Sequence, residues 1–173
     1  MKTETYYKLK DLSKKYGSSN FGKIVQCLCA LSFYEELNCP PEKMNVNLVE
    51  GVDIIVEEPK YAIEVKTTSG ERISFQEKDF EGYERYTEYT SLFCILKIGL
   101  FSKLLLIKQG KLKRKKNWSI NELYEDDDLK NLSKKINERF EQLIENNFTE
   151  ISKNGLQYLL KQLRNKNIRY AGI

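Results

Sequence analysis

The sequence predicts an α/β fold, with a mixed central sheet flanked by helices and a C-terminal helical tail. Three observations carry this prediction. Apolar residues recur at three-to-four spacing near both ends of the chain, and short runs rich in β-branched residues lie between them. No stretch is rich enough in Gly, Pro or Ser to split the chain. A chain of 173 residues buries roughly 70% of its unfolded surface, so one core forms without disulfides or a structural metal.

The first predicted element is a helix over residues 21–37. Phe21, Ile24, Val25, Leu28 and Leu31 share one face, and Asn38-Cys39-Pro40-Pro41 closes it. Residues 44–49 alternate apolar and polar, as a strand does. Gly51 interrupts, residues 52–57 resume, and Glu58-Pro59-Lys60 turns the chain into a third strand over 61–68, paired as a hairpin with the second. Ser74-Phe75-Gln76-Glu77 matches a capping box and predicts a helix over 75–89.

Strand-like runs follow at 92–98 and 103–108, with a second hairpin turn at Gln109-Gly110. Residues 111–116 read as a basic loop, and Ser119 with Glu122 as a further capping box. Ile136, Phe140, Leu143 and Ile144 mark one amphipathic tail helix, and Ile151, Leu156, Leu159 and Leu163 a second. The expected organisation is a core over residues 1–118 and a helical extension over 119–173, packed on the core or at a dimer interface.

Composition excludes several chemistries. The chain holds 29 Lys+Arg, 25 Asp+Glu and no His, so Ser-His-Asp and Cys-His nucleophile systems and His-ligated zinc are ruled out. Carboxylates and lysines must carry any catalysis. Cys27, Cys29, Cys39 and Cys94 form no CxxC pair and read as reduced core thiols. The most apolar stretch, 91–107, contains Lys97 and Lys103 and is too short and too charged for a membrane span. With a polar start and no signal-peptide pattern, the expectation is a cytoplasmic protein without a membrane partner.

The informative segment runs from Glu50 to Lys66. Side chains two apart on a strand share a face, so Glu64 and Lys66 project together from an otherwise apolar strand. Hairpin pairing brings Asp53 to the neighbouring position. Two buried acids raise each other's pKa, and a divalent cation removes that conflict. The Asp53 and Glu64 carboxylates with the Val65 carbonyl are oxygen ligands suited to octahedral Mg²⁺. Lys66 then orients water or offsets charge on a phosphate. The competing reading is a surface ion pair between Glu64 and Lys66, with Asp53 as a turn residue.

Asp53, ten intervening residues and then Glu64-Val65-Lys66 resembles the PD-(D/E)XK nuclease superfamily. Gly-Val-Asp-Ile-Ile-Val followed by Ala-Ile-Glu-Val-Lys-Thr-Thr is similar to archaeal Holliday junction resolvases and small restriction endonucleases. The resemblance covers residues 18–108. It implies a restriction-endonuclease-like αβββαβ core and a homodimer that hydrolyses phosphodiester bonds of DNA with Mg²⁺, Mn²⁺ substituting. It maps Asp53 and Glu64 onto the metal-binding acids and Lys66 onto the catalytic lysine. Gln76 falls where some members carry a glutamine. The first-helix glutamate of many members has no counterpart here, and Glu50 is its expected substitute.

For DNA contacts the sequence offers Lys111, Lys113, Arg114, Lys115 and Lys116, with Lys108 just before them. Thr67 and Thr68 offer hydroxyls to a phosphate. A second basic stretch holds Lys161, Arg164, Lys166 and Arg169. A non-catalytic DNA-binding or assembly module on the same scaffold is the alternative function.

Overall fold

Apolar residues on alternate positions of the strands point to opposite faces, and both faces here are covered. The computed structural model describes residues 1–172. Its main sheet has six strands: β1 (Met44–Asn47), β2 (Ile54–Val56), β3 (Tyr61–Thr68), β5 (Thr90–Lys97), β6 (Lys103–Lys108) and β8 (Arg169–Ala171). Their order is β6-β5-β3-β2-β1-β8. The β3/β5 and β1/β8 pairs are parallel and the others antiparallel. A two-stranded sheet pairs β4 (Arg72–Ser74) with β7 (Asn117–Ser119). The chain is therefore α/β with a mixed sheet, as its pattern predicts.

Two long bent helices cover one face. Helix α1 (Thr3–Leu37) and helix α4 (Lys130–Asn165) bury Leu28, Phe33, Phe140 and Ile144 against Ile63, Val65, Cys94 and Leu106. The opposite face buries Ala62, Phe93, Ile95 and Leu105 under Phe75, Tyr83 and Trp118. Residues of β5 thus alternate strictly between two cores, the pattern of a strand buried on both sides. Among the described residues no helix is long and apolar enough to cross a membrane.

Several elements differ from expectation. Helix α1 starts at Thr3, in the stretch read as a polar lead-in, and bends at Gly17, whose φ is 70°. The tail holds the two expected helical segments, which run together as α4 and part at a sharp kink at Gly155. The two bends meet: a Cβ on Gly155 would lie 2.7 Å from the Tyr16 ring. The Tyr16 hydroxyl donates to the carbonyls of Ile151 and Ser152 at 2.9 and 2.7 Å, in the turn just before the bend.

The helix expected over 75–89 is only α2 (Lys78–Glu81) with a 3₁₀ turn over Gly82–Arg85. Ser74 sits in β4 and donates to Asn117 instead of capping, because pairing with β7 claims it. The turn between β5 and β6 falls at 98–102, and Gln109-Gly110 opens the short helix α3 (Gln109–Leu112). Ser119 and Glu122 do form a capping box, on the 3₁₀ turn Ile120–Glu122. Strand β8 has no clear signal in sequence: three residues beside β1 need only backbone pairing.

Candidate active site

Strand β2 runs antiparallel to β3 with Ile54 opposite Ile63, so Asp53 stands level with Glu64. The β2 ladder ends there. The next inward amide of β3, Val65 N–H, would lack a partner, and Asp53 Oδ2 accepts it at 2.7 Å. Asp53 Oδ1 accepts from Gln26 Nε2 of α1 at 2.7 Å. Asp53 is 7% exposed. Burial pushes its carboxyl up to about 7 against the two hydrogen bonds and the Lys66 charge, which act to lower it.

Glu64 and Lys66 lie on the face of β3 that carries Ala62, under Tyr83 and α2. Burial, and then the charge of Asp53, push Glu64 up to about 9, opposed by Lys66. Among the described residues the Glu64 carboxylate accepts no hydrogen bond; its nearest cation is Lys66 Nζ at 3.8 Å. Lys66 Nζ turns instead to Asp79 Oδ1, 2.6 Å away on α2. Asp79 Oδ2 accepts the Gln76 N–H at 2.8 Å, which fixes α2 over the strand. Tyr83 closes the group, its hydroxyl donating to the Leu92 carbonyl and accepting the Glu64 N–H at 3.1 Å. Burial raises that hydroxyl well above its ordinary range.

Asp53, Glu64 and Lys66 are thus brought together, with Asp79, Gln26 and Tyr83 added. Gln26 is the residue sequence reasoning missed on α1. Its signal was available: it is the one uncharged amide within the apolar run from Ile24 to Phe33. Asp79 carried no such signal, since acid near a helix start reads as an ordinary dipole partner.

Do these residues suit a divalent cation? The buried Gln26 Oε1 has no hydrogen-bond partner, and the Glu64 oxygens have none either. In a strand the N–H and C=O of one residue face the same edge, so the Val65 carbonyl shares the Asp53 side. Two carboxylates with a carbonyl and an amide oxygen are hard donors that suit Mg²⁺ or Mn²⁺. Among the described residues no three acids or cysteines gather as a ready-made cage. The set fits through two acids and neutral oxygens.

Other expected residues lie elsewhere. Glu50 is exposed in the loop before β2 with only its carbonyl engaged, by the Asn47 side chain. Gln26, not Glu50, reaches Asp53, because α1 packs directly over the end of β2. Gln76 contributes its backbone amide, while its exposed side chain lines a groove of about 540 Å³ with Phe80, Glu81 and Lys113. The Thr68 hydroxyl is used in a turn, donating to the Arg72 carbonyl and accepting the Gly70 N–H, both at 3.2 Å. Thr67 is half-buried at the end of β3.

The segment 111–116 is a helix end and a short link, and much of its charge is engaged. Lys115 pairs with Glu122 at 2.9 Å, Lys108 with Asp128 at 2.6 Å, and Lys111 lies 3.5 Å from the Tyr124 ring centre. Arg114 stacks near Trp118, whereas Lys116 is exposed. In the second basic stretch Lys166 pairs with Glu35 and Arg169 donates to the Glu42 carbonyl. Comparison with known proteins finds no family model, curated protein or solved structure that matches the chain.

Proposed function

We propose that the chain is a metal-dependent endonuclease that hydrolyses phosphodiester bonds of DNA, on a restriction-endonuclease-like core and as a homodimer. The observation that carries this reading is the convergence of Asp53, Glu64 and Lys66 on one side of β3, with two carboxyls held up at about 7 and about 9. Such a cluster is unfavourable on its own, and a bound cation offsets it.

Asp53, Glu64, the Val65 carbonyl and Gln26 Oε1 would hold Mg²⁺ or Mn²⁺. A cation there supplies a water of lowered pKa and a counter-charge for the phosphate. Lys66 meets the scissile phosphate or the attacking water from the same face and donates to the oxygen that gains charge. Asp79 holds that ammonium in place, and Tyr83 fixes the strand backbone beside Glu64. Cutting both strands of a duplex calls for two such sites, hence the homodimer.

A second reading is a non-catalytic DNA-binding module on the same scaffold. The lack of a three-acid cage among the described residues and an amide at position 26 favour it. One assay separates the two. Linear duplex, supercoiled plasmid and a four-way junction are incubated with the protein in Mg²⁺ and in Ca²⁺. Cleavage in Mg²⁺ that Asp53→Ala and Glu64→Ala abolish supports the nuclease. Binding to all three without cleavage, unaffected by those changes, supports the module.

A further inference from the structure

The rim of the sheet beyond the site carries two lysines that the fold places directly opposite each other. Lys97 ends β5 and Lys103 begins β6, and they are register partners. Like charges facing across an antiparallel pair destabilise it. Neither lysine joins an ion pair among the described residues, unlike Lys108 at the other end of β6. Both lie on the face of Glu64 and Lys66. Phe93 is opposite Glu64 and Ile95 opposite Lys66, so Lys97 continues that face beside Thr68. Leu105 and Lys103 continue it on β6. By strand geometry Lys97 stands roughly 8 Å from Lys66.

The turn joining these lysines is also unusual. Its corner residues are Leu100 and Phe101, 63% and 85% exposed, where Asn, Asp or Gly ordinarily stands. The turn is held firmly: Ser102 N–H donates to the Gly99 carbonyl at 3.0 Å, and the buried Ser102 hydroxyl accepts the Gly99 N–H at 2.9 Å. Two large apolar side chains are therefore exposed on a firmly held turn that joins the two members of an unneutralised cationic pair.

We propose that Lys97, Lys103, Leu100 and Phe101 form a duplex-DNA grip. The two lysines take backbone phosphates adjoining the one at Glu64 and Lys66, and the Leu-Phe corner enters the groove and stacks against a base step. Charge selects the occupant, since an uncompensated lysine pair in line with a phosphodiester site is complementary to a polyanion. An apolar wedge beside basic residues is a recurrent way to grip and bend a duplex. This inference rests on the reading of the site as one that acts on DNA.

The test is equilibrium binding of a fluorescently labelled duplex, followed by anisotropy in Ca²⁺ over a series of NaCl concentrations. For Lys97→Glu/Lys103→Gln the slope of log affinity against log salt falls by about 1.8, because each phosphate contact contributes roughly 0.9. Phe101→Ala leaves the slope unchanged and weakens binding roughly tenfold. A 2-aminopurine step in the duplex brightens with wild type and not with Leu100→Ser/Phe101→Ser. The double variant removes the repulsion between the two register partners, so it melts no lower than wild type, and the change in slope then reads lost contacts and not a lost fold.

An unchanged salt slope overturns the grip. So does Phe101-dependent binding to anionic phospholipid vesicles in place of duplex, or loss of a dimer on substituting Phe101 with DNA affinity intact. Wild type that grips duplex in this manner but cleaves nothing supports the grip and removes the nuclease reading. Wild type that cleaves with an unaltered slope in the lysine variant does the reverse.

Discussion

Lys66 and Asp79 form the tightest ion pair of the site, Nζ to Oδ1 at 2.6 Å, although Glu64 is two residues from Lys66 on the same strand and 3.8 Å away. The lysine is thus held by a residue of α2, and its strand neighbour is left to other partners. This arrangement separates the acids: Asp79 holds the lysine ammonium, and under the proposed function Asp53 and Glu64 are the two carboxylates left to hold a metal ion.

Asp79→Asn should therefore act through Lys66. The amide keeps its size and still accepts the Gln76 N–H, but it no longer anchors the ammonium by charge. Steady-state cleavage of plasmid DNA should show kcat reduced about 10- to 100-fold with KM nearly unchanged, the scale typical of an orienting partner. Equal kcat values would show that Lys66 needs no anchor.

Glu64→Gln should be more stable than wild type at pH 8 in chelator and about equal at pH 5. The folded-state pKa of Glu64, about 9, is raised above the unfolded value, so the folded protein holds a proton that the unfolded chain has released. Folded wild type consequently loses stability as pH climbs from about 5 towards 9. Thermal melts at the two pH values measure the difference. A wild-type advantage at pH 8 would reverse the sign and refute the burial argument.

Gln26→Glu should have opposite effects with and without metal. A third acid beside Asp53 repels it, so the metal-free melting temperature at pH 8 falls. The same acid adds a charged donor to the cation, so Mn²⁺ binds more tightly, by about tenfold. Calorimetry and thermal melts on one preparation check both directions.

Gly155→Ala tests the fold apart from the site. The φ of 53° and the Tyr16 ring, 2.7 Å from the position a methyl carbon would take, both oppose a side chain there. Urea unfolding should show a loss of about 1–3 kcal/mol, with metal binding unaltered.

Much of this arrangement was legible in the sequence because it depends on strand periodicity. Ile63 and Val65 against Glu64 and Lys66 tell the two faces of β3 apart, and the turn at Pro59 pairs it with β2. What was not legible depends on packing between distant segments. Gln26 stands out in the sequence as a lone amide in an apolar run, but that Asp53 is its partner follows from α1 lying across the end of β2, and no local pattern encodes that crossing. The missing long helix after β4 has a similar cause. Ser74 satisfies the capping pattern, yet strand pairing with Asn117 outweighs it. The basic run at 111–116 was legible as charge but not as partners, since Glu122 and Tyr124 fold back onto it.

Calorimetric titration of Mn²⁺ into the protein near pH 7, repeated in buffers of different ionisation enthalpy, probes the paired carboxylates most directly. Wild type should bind the ion and release protons as it does so, because Asp53 and Glu64 are partly protonated beforehand, and Asp53→Asn/Glu64→Gln should abolish both binding and release. Binding that survives the double change, or that proceeds with no proton released, would contradict the account.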